Sequence, residues 1–293
     1  MSETAVELNL ESMPSVVRGF ARAAIARKSG LRDGQTIPSI EARLQGVVPN
    51  PERLRRYREI CGFEAADTLP LTFPHVLAAP MHMTVMTHPQ FPLKLVGAVH
   101  LRNHIEQKRP LAVDEPLNLR VRVGGHRDVE KGLEFDLYTE VDDAAGERVW
   151  TGISTNLVRG RSRGGKQGGK TALPDPQDYT VMDEWQLDAG LGRRYGVQAG
   201  DINPIHMHPL LAKLFGFPRA IAHGMWSYAR CAAALVPARP EGPVTLDVAF
   251  RRPVLLPSTV VFRVDNADSP GAYMLTNPDG RTLHLTGEFR TGT

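Results

Sequence analysis

Apolar residues recur along this chain in two rhythms, and each predicts its own set of elements. A helical rhythm runs through "PSVVRGFARAAIARKSG" (14–30), where Val16, Val17, Phe20 and Ala24 share a face, Pro14 sits near the first turn and Gly30 lies past the end. It returns in "PNPERLRRYREICGF" (49–63), "FPHVLAAPMHMTVM" (73–86), "INPIHMHPLLAKLFGF" (202–217) and "IAHGMWSYARCAAAL" (221–235). Alternation of period two marks strands in "VHLRNHIEQKRPLAVDEPLNLRVRV" (99–123), "LEFDLYTEV", "VWTGISTNLV", "VTLDVAFRRPVLLPSTVVFRV" (244–264), "GAYMLTN" and "TLHLTGEF". Turns such as "DDAAGE" and "NPDG" join them into antiparallel meanders.

The same succession occurs twice. Each copy has an Asn-Pro and a short helix ending near Gly-Phe, a long apolar helix with a His near its start, and then four or five strands. Helices gathered before antiparallel strands predict an α+β layer in which a sheet wraps one buried helix. Two such sheets can pair edge to edge and hide their exposed edges. The polar, glycine-rich "RGRSRGGKQGGK" (159–170) reads as a linker. The expected organisation is a helical extension over 1–40, a first copy over 41–158, the linker over 159–172 and a second copy over 173–293.

Composition narrows the class. The chain has 293 residues, 42% of them hydrophobic and 23% charged, enough for a sizeable soluble core. A net charge of +3 demands no nucleic-acid partner. Basicity is local: Arg159, Arg161, Arg163, Lys166 and Lys170 fall in the linker, which reads as a solvated segment or a contact for phosphates or an acidic surface. Cys61 and Cys231 are distant and form neither a zinc spacing nor a disulfide framework. The N-terminus lacks an apolar signal core and no apolar run is long enough to span a bilayer, so the expected location is the cytoplasm.

One stretch carries dense chemistry. "YGVQAGDINPIHMHPLLA" resembles the signature of the MaoC-like, hydratase 2 family, from Tyr195 through Gly-Asp-x-Asn-Pro-Ile-His (200–206) to Ala212. Weaker similarity covers most of 45–293. Ala199 and His208 depart from the family pattern, which commonly has Ser or Thr and Asp there. The resemblance implies a double hotdog fold and reversible dehydration of (3R)-3-hydroxyacyl thioesters, carried by CoA or a carrier protein, in fatty-acid metabolism. It also implies that the Gly224 N–H forms an oxyanion hole. No cofactor or metal is implied, and a homodimer is one assembly open to the chain.

The residues support a site on their own terms. Asn203 and Pro204 start a helix as cap and first helical residue, placing His206 in its first turn and Asp201 on the loop before it. The helix dipole there is expected to keep the imidazole neutral, ready to act as a base beside Asp201. Aligning the two copies sets Val48 opposite Asp201, Arg53 opposite His206 and Val76 opposite Gly224. The first copy thus keeps the cap and lacks the titratable pair. Gly224 costs its helix stability and exposes free N–H groups to a developing anion, or else makes room for a crossing strand. Asn203 and His223 are expected to border the substrate; Met81 and Met86 line a core or an acyl tunnel. "HMH" (206–208) and "MHMTVMTH" (81–88) offer no third metal ligand at a familiar spacing. Two rival functions stand beside the dehydratase: a non-catalytic acyl-thioester-binding subunit and a hotdog thioesterase.

Overall fold

The computed structural model describes residues 5–26, 28–31, 34–95, 97–160, 173–237 and 239–292. All but the first two residues of the 159–170 linker lie outside them. In chain order the elements are β1 (Val6–Asn9), α1 (Val16–Ile25), β2 (Ile40–Val47), α2 (Pro51–Cys61), α3 (Phe73–Thr87), β3 (Val99–Gln107), β4 (Leu117–Val129), β5 (Gly132–Asp142) and β6 (Arg148–Arg159). Then follow β7 (Thr180–Leu187), α4 (Leu191–Ala199), α5 (Pro204–Met207), α6 (Pro209–Leu214), α7 (Gly224–Leu235), β8 (Val244–Phe250), β9 (Ser258–Val264), β10 (Ala272–Thr276) and β11 (Leu283–Thr291). They form two compact units, and the chain passes between these more than once: 1–48, 77–103 and 114–171 make the first, 49–76, 104–113 and 172–293 the second.

In the first unit the strands run β1-β2-β4-β5-β6, with the beginning of β3 beside β6. β4, β5 and β6 form a long antiparallel meander, with Leu119 opposite Val141 and Tyr138 opposite Ile153. Leu117, Leu119, Val121 and Val123 alternate into the core along β4, as a half-buried strand requires. The later turns of α3 pack on this sheet, where the buried His82 Nε2 and Thr139 Oγ1 are hydrogen-bonded at 2.7 Å. Burial lowers the His82 pKa to about 3. α1 lies against α3 at Gly19, where a Cβ would come within 3.0 Å of Met83 Cβ.

In the second unit the end of β3 is followed by β8-β11-β10-β9-β7, all antiparallel where paired from β8 onward. Val244, Leu246, Val260, Phe262, Tyr273 and Leu285 build its core. α7 packs there through Tyr228, whose hydroxyl donates to Leu246 O at 2.6 Å, and Trp226 Nε1 donates to Ile60 O of α2 at 2.9 Å. Cys61 and Cys231 are buried free thiols whose pKa burial raises, so neither is a ready nucleophile.

Several elements differ from the sequence expectation. A strand, β2 or β7, precedes the short helices of each copy; in "TVMDEWQL" the adjacent Val181 and Met182 are both exposed and break the alternation. The extension contributes a strand as well as a helix, and β1 joins β2 in parallel, Val6 opposite Ile40. The expected helix over 204–215 is two short helices, because His208 adopts extended backbone and caps the second. No helix among the described residues is long and apolar enough to cross a membrane.

Candidate active site

Four elements of the second unit converge on the dyad predicted from sequence. Gly200, in the left-handed conformation at φ 73°, ends α4 and turns the chain toward Asp201. Asp201 Oδ1 accepts from Asn203 N–H at 3.2 Å, and Asn203 Oδ1 in turn accepts from Ile205 N–H at 3.4 Å. Asn203 is therefore a capping residue here, as Asn50 is in the other copy, where its Oδ1 accepts from Arg53 N–H at 2.9 Å. His206 sits in the single turn of α5 and is buried.

The ring of His206 is fixed by tautomer and by stacking. Its Nδ1 lies 2.8 Å from Ile221 O. A carbonyl only accepts, so Nδ1 carries the proton and Nε2 presents a lone pair. His223, the residue before α7, stacks on this ring with centroids 3.6 Å apart and planes 23° apart. His223 Nε2 donates to Asp201 O at 2.9 Å, and Tyr195 packs against its ring at 4.9 Å. Burial is the largest cause of the lowered pKa of both imidazoles, to about 3 for His223; Asp201 pulls each back upward. The expected neutral His206 is thus favoured by desolvation, since a four-residue helix has little dipole to offer.

One carboxylate oxygen of Asp201 and one ring nitrogen each of His206 and His223 lie within 4.8 Å of one another. The sequence reading found no third metal ligand near the "HMH" stretch; His223, distant in sequence, supplies one in space. Ligation by both rings would need lone pairs converging on one point, whereas stacked rings aim theirs along separate planes. The spacing suits a single water or hydroxyl held between the carboxylate and an imidazole. Asp201 is half-exposed beside the two buried histidines, so a ligand can reach it from solvent.

Gly224 opens α7. As the first helical residue its N–H has no acceptor within the helix, and His223 gives that helix no side-chain cap. The space a Cβ would take at Gly224 is filled by the Phe250 ring, at 3.0 Å from Cε1 and 3.2 Å from Cδ1. A crossing strand, β8, therefore accounts for the absence of a side chain there, while the N–H remains available. Met81 and Met86 lie in the first unit on α3, Met81 fully buried and Met86 half-buried.

Two glycines that sequence reasoning passed over shape the site. A Cβ on Gly192 would lie 2.2 Å from His206 O, and one on Gly196 would lie 2.6 Å from Asp201 O and 3.3 Å from His223 Cε1. Spaced four apart on α4, they form one bare face against which the dyad backbone rests. The Gly-x-x-x-Gly spacing in "GRRYG" is the signal that could have revealed it.

An antiparallel sheet packed on a long helix, repeated in two copies, with a carboxylate–imidazole pair before α7 in the second, is the arrangement of a double hotdog protein. Comparison with known proteins gives the family. The model for the MaoC like domain matches residues 177–274. The 3-hydroxyacyl-thioester dehydratase X of Mycobacterium tuberculosis is 33% identical over 284 residues, covering 95% of this chain and 99% of that protein. Among solved structures, HtdX of Mycobacterium tuberculosis matches with a TM-score of 0.74 at 32% identity, over 86% of this chain and 100% of that one. A conserved hypothetical protein of Mycobacterium tuberculosis with a double hotdog fold matches at 0.54 and 13% identity, over 91% and 96% of the two chains, which bears on the fold alone. The fold is α+β, a double hotdog, and the chain belongs to the MaoC-like family.

Proposed function

We propose that this protein reversibly dehydrates (3R)-3-hydroxyacyl thioesters to trans-2-enoyl thioesters, with the chemistry in its second copy. The observation that carries the reading is the His206 tautomer: a buried, neutral imidazole whose Nε2 lone pair is free beside a carboxylate. In dehydration, Nε2 removes the C2 proton. The C–H electrons become the C2=C3 bond as the C3–O bond breaks. The leaving oxygen, held by Asp201, collects the proton from His206 and departs as water. Charge that builds on the thioester oxygen meets the Gly224 N–H; one such donor is worth roughly 3 kcal/mol. Hydration runs the same steps backward.

Under this reading the first copy, over 41–158, is a degenerate copy that lacks the acid–base pair, and Asn203 and His223 border the thioester in the second. The protein works in the cytoplasm on CoA or carrier-protein thioesters. Crotonyl-CoA hydration, followed by loss of the conjugated thioester absorbance, tests it. Asp201→Asn and His206→Ala should each lower kcat by ~100-fold or more, the usual scale for acid–base groups. Release of free thiol would support a thioesterase instead, and no turnover by the intact protein would support a binding subunit.

A further inference from the structure

The first copy puts an arginine where the second has its catalytic histidine. Arg53 stands in the first turn of α2 and is half-buried, and the desolvation lowers its pKa. Its Nε donates to Gln198 O at 2.7 Å and its Nη2 to Val76 O at 3.2 Å. Both acceptors are carbonyls, not carboxylates. Desolvating even part of a guanidinium against neutral acceptors costs free energy, so its place in the fold needs a reason.

Each carbonyl lacks its ordinary donor. Val76 O would accept from the N–H four residues on in α3, but that residue is Pro80, which has none. Gln198 is the penultimate residue of α4, where carbonyls have no helical partner. The backbone N–H groups of Gly200 and Asp201 both go back to Gly196 O, at 2.9 and 3.0 Å, and close the helix before Ile202, four residues on, could donate to Gln198 O. From that carbonyl the chain takes only Ala199 and the left-handed Gly200 to reach Asp201.

We infer that Arg53 is a positioning residue for the reaction: it anchors the end of α4 and thereby sets where the Asp201 carboxylate meets His206. The position that lost its own acid–base chemistry in one copy holds the chemistry of the other in register. This inference rests on the dehydratase reading and adds to it a role for a residue that touches no substrate. Arg53→Ala removes both donors and frees the turn before Asp201. Because Asp201 acts on the reacting water or hydroxyl, the loss falls on kcat more than on KM.

The test is crotonyl-CoA hydration by the full chain and by Arg53→Ala, Arg53→Met and Arg53→Lys, each normalised to its folded fraction by circular dichroism. Arg53→Ala should lower kcat on the order of 10-fold or more with little change in KM, in keeping with the sensitivity of turnover to small misplacements. Arg53→Lys, which can still donate to Gln198 O, should recover part of the loss. Methylguanidinium at millimolar concentration should rescue Arg53→Ala and leave Arg53→Lys unchanged. Arg53→Met, which keeps the apolar stem, carries the same comparison if the alanine variant does not fold. Folded variants with unaltered kcat would overturn the inference and leave the dehydratase reading intact. Failure of all three to fold would make Arg53 a structural residue and overturn it equally. An inactive wild-type protein would remove the dehydratase reading, and this inference with it.

Discussion

A single methyl group at Gly192 tests the architecture of the site most sharply. In Gly192→Ala the added carbon would stand 2.2 Å from His206 O, 3.2 Å from its carbonyl carbon and 3.6 Å from its Cα. Relief to an ordinary contact needs about 1 Å of movement, and both sides are backbone, so no side chain can rotate away. That shift is comparable with the margin holding the imidazole: Nδ1 is 2.8 Å from Ile221 O, and an ångström more breaks the bond that sets the tautomer. The stack on His223 at 3.6 Å loosens with it. A misplacement of that size costs on the order of 100-fold in turnover. Stability should fall by about 1–3 kcal/mol from overpacking. Helix propensity alone predicts the opposite sign, a gain of up to about 1 kcal/mol for alanine over glycine. Urea denaturation and crotonyl-CoA hydration together decide the matter. A variant as stable as the parent or more so, with unchanged turnover, refutes the claim that α4 is pressed against the catalytic turn.

Gly224→Ala drives its Cβ against the edge of the Phe250 ring, so the ring or the start of α7 must give by a few tenths of an ångström and the N–H is carried off line. Turnover should fall on the order of 10-fold and partly return when Phe250→Leu makes room; a fully active Gly224→Ala would remove this N–H from the mechanism. Acid stability should report the buried histidines. His82 and His223 have folded pKa values of about 3 against an unfolded value near 6.5, so the unfolded chain takes up their protons first. Their contribution is present above about pH 6.5 and is lost as pH falls toward 3, by about 2 kcal/mol each at pH 5. His104 shifts the other way, raised by Asp247, but it is partly exposed and its contribution is correspondingly screened. Denaturation at pH 7.5 and pH 5 should show a shallower loss in His82→Gln than in the parent, and equal losses would show that burial of His82 does not set the acid limit.

Much of this protein is written in local sequence. Period-two alternation in "LNLRVRV" and "LEFDLYTEV" specifies half-buried strands, because side chains on a pleated backbone point to opposite faces in turn. Asn50-Pro51 and Asn203-Pro204 specify helix starts, because a cap acts within three residues of itself. The same local signals expose the duplication and put Asp201 and His206 at one helix start. They fail where the outcome depends on segments far apart in the chain. Nothing near His206 announces that His223 will stack on its ring, that Ile221 O will choose its tautomer, or that burial will hold it neutral. Nothing near Gly192 shows that the backbone of His206 will rest on it. Arg53 reads locally as a surface residue of a charged helix; only packing reveals the two orphaned carbonyls it serves, one created by Pro80 and one by the end of α4. Periodicity and capping are properties of a few consecutive residues, whereas close approach, desolvation and shared hydrogen bonds come into being only when distant segments are brought together.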